Sequence, residues 1–446
     1  MAALTSTMAR VPRRRMKVAA AIAFAFFVAY FDRTNVTVLI ANHQFDATLG
    51  IEGDKVKQGL LMSAFLFPYG FANFGTGPLG DKIGGRRGVT YAILCWTVFM
   101  TAMGFVSSFT LMILFRVLLG LGESIMTPAC NMIVSQWFPD RERSRANSIW
   151  LGGLFLAPAI SYPILIVFVD AFGWRSTFFL LAAVGFFVAL PMAWFWTTDR
   201  PEDAKNLSPE ELSYIRNGQV GTKAFDSGTF TRQARLVFSN YKYWLGVIGY
   251  TGYGLGFWGI STFVPTYFEH VRHLSFSSSG LFAVLPWVAA TVLTLVGGWL
   301  GDRRHRWRAP LWSFGFIAGA VLSYLGVATG SVAAAVVLIS VAVGFMAFVL
   351  GPMWSIAQEL SLPAVGGLTS GVWNGVTYIV SAFGPAVVGF IADSTGSYTL
   401  GFVVIAGFLV AMAIVILPLW RGQLATAQPS ASVGPVAASR PGTAAQ

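Results

Sequence analysis

The chain has 446 residues, of which 55% are hydrophobic and only 11% charged, with a formal net charge of +11. A soluble domain carries about 25% charged residues, and one of this size could not hide so much apolar surface, so an ordinary soluble globule is excluded and the bilayer is the solvent. Cys95 and Cys130 fall in apolar runs without disulfide or metal spacing, and none of His43, His270, His273 and His305 lies within an apolar span, which removes a histidine relay and a helix-borne metal pair.

A helix needs about 20 apolar residues to cross the hydrocarbon core. On that rule the chain holds twelve candidate spans: 18–41, 59–80, 88–107, 110–137, 145–169, 174–197, 244–268, 278–301, 310–328, 331–357, 366–391 and 399–421. The first follows basic residues, as a signal peptide would. It is long, lacks a small-residue cleavage site and continues through Asp32, so it reads as a retained span. The expected organisation is a segment 1–17, a six-helix bundle 18–197, a polar central loop 198–243, a second six-helix bundle 244–421, and a disordered tail 422–446 rich in Ala, Pro, Ser and Gly. The fold class is therefore all-α integral membrane, with twelve helices in two pseudo-symmetric bundles.

The positive charge is distributed by topology. With both termini on one side, that side's segments hold 24 of the 30 Lys and Arg residues. The other side has Lys55, Lys57, Arg175 and Arg272, while Arg33 and Arg116 are inside spans. Cytoplasmic loops carry the excess of Lys and Arg, so the termini and the central loop are expected in the cytoplasm and the protein in a cell's inner membrane. This asymmetry replaces the nucleic-acid partner that a basic chain would otherwise suggest.

The punctuation repeats. GPLGDKIGGRRG starts at Gly77 after span 2, and GWLGDRRHR starts at Gly298 after span 8, an offset of 221; Pro128 in span 4 and Pro352 in span 10 are 224 apart. Duplicated halves flanking a midplane site are a common transporter plan. GGRRG lacks the spacing and GK[ST] ending of a nucleotide-binding loop, so ATP binding is not expected.

Of 19 acidic residues, only Asp32 and Glu123 lie well inside a span. With Arg33 and Arg116 they form a set of two acids and two bases, all in the N-terminal half. Intramembrane ionisable groups are costly and functional by default. Arg116 and Glu123, seven apart, share a face of span 4; Asp32 and Arg33 point about 100° apart on span 1. The expectation is that Arg33 faces a central cavity and Asp32 a neighbouring helix, with Arg116 as the partner of Asp32. Arginine's planar fork suits a carboxylate, and a buried carboxyl group exchanges protons as a neighbouring arginine moves. Asp32 and Glu123 are thus the expected proton-coupling pair, with Arg33 as the anion site. Tyr30, three residues before Arg33, and Tyr69 in span 2 need hydroxyl partners if buried. Asn374 is the most exceptional polar residue of span 11.

The chain resembles the Major Facilitator Superfamily over about residues 16–421, through the Gly77–Gly88 loop and its weaker copy after span 8. YFDRTNV, RVLLGLGES and WFPDRERSRA are similar to the anion:cation symporter family, whose bacterial members carry sugar acids such as galactonate and glucarate, tartrate, phthalate and hydroxyphenylacetate. The resemblance implies proton-coupled uptake of an organic anion by alternating access, with Tyr30, Tyr69, Trp354 and Asn374 facing the substrate alongside Arg33. Sugar-acid members often carry a polar amide in helix 5, where this chain reads NSIWLGGLFLAPAISYP, so an aromatic or smaller carboxylate is the rival cargo. A pH-independent uniporter or exchanger is the alternative from another class, and an enzyme is not expected. Asp81, Arg86, Arg87 and Asp302 are expected to latch helix ends as gating residues, with Arg116 completing the ion-pair set. The expected partners are a small organic anion, protons and the lipid bilayer. The chain is expected to act as a monomer with no cofactor beyond the coupling proton.

Overall fold

A computed structural model describes residues 14–40, 42–52, 54–219, 229–272, 282 and 284–420. The expectations for the segment before residue 14 and for the tail lie outside the described residues, as does His273.

Among the described residues a helix stands at each of the twelve expected places. Eight are long and apolar enough to cross a membrane on length and composition alone, and the bent pair Asp140–Ser161 and Ile164–Phe172 makes a ninth. Span 1 (Arg14–Leu39), span 2 (Lys55–Ile83) and span 7 (Tyr241–His270) are as long but fall outside that set. They carry Asp32 and Arg33, the Pro-Gly-Asn-rich run of residues 68–80, and five tyrosines, respectively.

Three spans break internally, each three or four residues before a proline. Span 4 runs as Phe109–Glu123 and Met126–Trp137, before Pro128. Span 10 runs as Val332–Phe348 and Leu350–Glu359, before Pro352. Span 11 runs as Gly366–Ser381 and Phe383–Thr395, before Pro385. Proline has no N–H to bond the carbonyl four residues back, and its ring crowds that carbonyl. The first break falls immediately after Glu123, so the repeat in proline spacing becomes a repeat in break position.

The halves meet mainly along two seams, span 2 against span 11 and span 5 (Arg143–Phe172) against span 8 (Leu285–Arg303). Small residues permit the approach: a Cβ on Gly77 would lie 2.5 Å from the Gly367 carbonyl oxygen. At the end holding the Lys- and Arg-rich loops, the basic end, an aspartate pins each seam. Asp81 accepts the backbone N–H groups of Gly367 (2.6 Å) and Leu368 (2.8 Å) in the first turn of span 11. Asp302 accepts those of Ser144 (2.9 Å) and Arg145 (3.1 Å) in the first turn of span 5, together with Arg145 Nε at 2.8 Å. A carboxylate there fills orphan N–H groups and meets the positive end of the helix dipole. The repeated Gly-Asp motif thus makes one cap twice, each reaching into the opposite half.

Arg86 and Arg87 divide. Arg86 gives its backbone N–H to Asp199 (2.8 Å) and stacks on Trp194 (4.0 Å), both near the end of span 6 (Trp174–Trp196). Arg87 points to solvent and makes no ion pair among the described residues. Adjacent helical residues point about 100° apart, so only one of the two can reach a neighbouring helix end.

The polar connector between the halves carries two short helices. Pro209–Asn217 docks on the N-terminal half, where the Glu211 carboxylate accepts the N–H groups of Arg14 (3.0 Å) and Arg15 (3.1 Å) at the start of span 1. Arg15 also pairs with Glu142 at 2.7 Å. Burial pushes the Glu142 carboxyl up, but hydrogen bonds from Arg15 and Tyr214 outweigh it and hold the group below its ordinary value. Gln219 donates to the carbonyls of Ser135 (3.1 Å) and Gln136 (2.9 Å) near the end of span 4. Phe230–Phe238 docks on the other half, Gln233 accepting the Ala364 N–H at 3.0 Å.

Candidate functional site

Arg33 is the hub of the centre. Its Nη2 bonds Glu123 Oε1 at 3.1 Å and its Nη1 donates to the Tyr378 hydroxyl at 3.1 Å. The guanidinium carbon lies 4.2 Å from the Tyr30 ring centroid, 4.7 Å from Phe65, 4.8 Å from Tyr69 and 5.7 Å from Tyr378. Ring faces stabilise a desolvated cation by about 2 kcal/mol. They also hold the planar fork in place without consuming its donors, leaving it able to address a carboxylate.

The polar shell spans both halves. The Tyr30 and Tyr378 hydroxyls meet at 2.5 Å. Tyr69 shares its hydroxyl with Thr127 (2.9 Å) and receives the Asn374 amide at 3.2 Å; Asn374 also donates to Asn73 (3.1 Å). Trp354 stands edge-on to Tyr250 at 5.7 Å and near Trp150 at 6.1 Å. Trp373, beside Asn374 in sequence, is packed among Trp312, Tyr243 and Trp354. Tyr30, Tyr69, Trp354 and Asn374 are all 2% exposed or less. In this conformation the residues expected to line a cavity close on one another.

Below this centre, toward the basic end, a second set of amides joins the halves. Gln358 donates to Asn131 Oδ1 at 2.8 Å and accepts from Asn147 at 3.2 Å. Ser144 and Ser355 meet at 2.9 Å. Span 5 thus places its amide, Asn147, at this lower level. At mid-depth it carries Gly153 instead, where a Cβ would lie 2.6 Å from the Ala23 carbonyl oxygen of span 1.

Arg116 is the strongest charge acting on Asp32, as expected, but the two do not touch. Asp32 and Arg116 make no ion pair within the 4.0 Å limit. Arg116 instead donates Nε to the Leu61 carbonyl at 3.0 Å and lies over Phe65 at 5.1 Å, so span 2 holds it back from span 1. Sequence reasoning also missed Tyr378, Asn73, Thr127, Asn147 and Tyr250. Two carried a usable signal: Tyr378 lies one turn after Asn374, and Asn73 one turn after Tyr69, on the same helix faces.

A membrane-embedded pair of helical bundles, joined around a buried ionisable centre, defines the chain as a transporter rather than an enzyme. It belongs to the Major Facilitator Superfamily, whose family profile matches residues 22–385. Among curated proteins it is 27% identical over 388 residues to the probable L-galactonate transporter of Escherichia coli (strain K12), covering 85% of this chain and 84% of the relative. It is 28% identical over 414 residues to the probable sulfoacetate transporter SauU of Cupriavidus necator (strain ATCC 17699), covering 90% and 92%. Among solved structures, the proton:xylose symporter XylE superposes with a TM-score of 0.72 at 14% identity, over 90% of this chain and 94% of that one, which speaks to the fold.

Proposed function

We propose that the protein is a proton-coupled symporter that takes up an organic carboxylate, a sugar acid being the leading cargo, by alternating access in a cell's inner membrane. The Lys and Arg asymmetry supports placing the basic end in the cytoplasm. One observation carries the mechanism: Arg33, the arginine at the centre between the halves, is held by Glu123 at 3.1 Å. Ionised Glu123 competes with a cargo carboxylate for Arg33. Protonating Glu123 removes the competitor, the fork takes both carboxylate oxygens, and loss of the proton on the other side expels the cargo. Tyr30 and Tyr378 part to admit it, and Asn374, with Trp354 nearby, contacts its body from the second half. The likeness to probable transporters of L-galactonate and sulfoacetate supports an anionic cargo. The dense ring lining around Arg33 and Trp354 favours testing aromatic acids beside sugar acids.

The deciding experiment is uptake into proteoliposomes with imposed pH and voltage gradients, across L-galactonate, glucarate, sulfoacetate and phthalate. Accumulation should follow the pH gradient for at least one acid. Glu123→Gln should abolish it while leaving exchange of labelled for unlabelled substrate. Uptake that ignores pH and an uncoupler would instead identify a uniporter or exchanger.

A further inference from the structure

The Arg33–Glu123 pair leaves a group of buried atoms unaccounted for. Both carboxylate oxygens of Asp32, both polar atoms of the Asn35 side chain, Nη1 of Arg116 and Oε2 of Glu123 are buried without a hydrogen-bond partner. Asp32 and Asn35 are each wholly buried and stand one turn apart on the same side of span 1. The ionisable groups acting on Asp32 are Arg116, Glu123 and Arg33; those acting on Glu123 are Arg33 and Arg116. Asp32, Glu123 and Arg116 therefore lie within one electrostatic neighbourhood of the N-terminal half, and Asn35 stands one turn from Asp32 at its edge.

Buried polar groups pair with protein or with ordered water, and polar chambers fill where apolar ones stay dry. An amide suits such a chamber, because it offers two donors and two acceptor sites and does not titrate. We propose that Asn35 is a positioning residue for a short file of ordered water within the N-terminal half, and that this file carries the coupling proton between Asp32 and Glu123. The proposal rests on the symport reading of the same site. The proton leaves an Asp32 carboxyl oxygen for the first water, each water passes one proton onward, and the last delivers one to Glu123 Oε2. At every hop one O–H bond breaks and one forms. The carboxylic acid has moved from Asp32 to Glu123, Asp32 is left as a carboxylate facing the charge of Arg116, and Arg33 is free to bind its anion. Asn35 orients the file and never takes the proton.

The test uses the full-length protein and its Asn35→Leu and Asn35→Ser variants. Asn35→Leu is close in volume but offers no hydrogen bond, whereas serine keeps a hydroxyl and room for water. Time-resolved infrared spectroscopy of the carboxyl bands requires no cargo: after a pH jump, the Asp32 and Glu123 bands should change together in the wild type, and in Asn35→Leu the Glu123 band should lag by about 100-fold. In proteoliposomes, with the best-transported acid of the panel above, Asn35→Leu should lose pH-driven accumulation by about 100-fold, the scale of a positioned proton transfer. It should retain exchange, and Asn35→Ser should recover accumulation. If leucine prevents folding, Asn35→Ala replaces it in both measurements. Wild-type coupling and accumulation in Asn35→Leu would overturn the proposal, as would loss of exchange together with accumulation in all the variants, which marks a packing role. A wild-type protein indifferent to the pH gradient overturns the symport reading itself, before any variant is measured.

Discussion

The two halves share a helical plan and divide the chemistry. Spans 1 and 4 supply Asp32, Arg33, Arg116 and Glu123, whereas the equivalent spans 7 and 10 present Tyr250, Tyr253 and Trp354. Stranding a buried charge costs about 3–5 kcal/mol, so a machine that repeatedly parts its halves gains by keeping countercharges in one of them. The Arg33–Glu123 pair stays within the N-terminal half. What crosses the central interface is mostly neutral: Tyr30 to Tyr378, Asn374 to Tyr69 and Asn73, Gln358 to Asn131 and Asn147. Charge crosses at the basic end, where Asp81 and Asp302 meet helix N-termini that water can serve once they separate.

The division can be broken most severely at Arg33. Arg33→Ala should abolish transport and weaken substrate binding by about 100-fold, roughly 3 kcal/mol for two charge-assisted hydrogen bonds, read by calorimetry. Arg33→Lys keeps the charge without the fork and should recover little of the loss. The two aspartate clasps offer a sharper comparison. Asp302→Asn leaves Arg145 without its ion-pair partner and Arg308 with Glu359 alone, whereas Asp81→Asn leaves only backbone donors with a weaker acceptor. Labelling of a cysteine placed at Ser355 should speed up about tenfold or more in the first variant, and by about fivefold in the second. Tyr378→Phe removes an uncharged hydroxyl of the C-terminal half that bonds Tyr30 and accepts from Arg33, and should change apparent substrate affinity by about fivefold, near 1 kcal/mol, with pH coupling intact. The smallest effect lies away from the interface. Glu142→Gln should lower thermal stability by about 1 kcal/mol, since Glu211 still holds Arg15. The folded Glu142 carboxyl sits below its ordinary value, so its contribution is complete above the unfolded carboxylate range and disappears as pH falls through the lowered folded value. Melting curves of wild type and variant should therefore converge in acid.

Much of this was legible because membrane spans expose their exceptions. Four charges in an apolar field identify themselves, and the Gly-Asp repeat foretold two aspartates at helix ends. What each aspartate would cap was not legible. A helical sequence shows which residues share a face, but not which face of another span it meets 150 or 280 residues away. For the same reason Asp32 was assigned to Arg116, whose reach is set by a carbonyl of span 2. Tyr378 and Asn147 read as ordinary polar residues until the opposite half supplied their partners.

The connector has a consequence of its own. Its first short helix is bolted to one bundle through Glu211 and Gln219, its second to the other through Gln233. Each bundle therefore owns a lid, and the two lids are joined in sequence through residues 220–228. Two polypeptides divided there would each carry a finished surface, and nothing in the caps opposes their reassembly into a working pair.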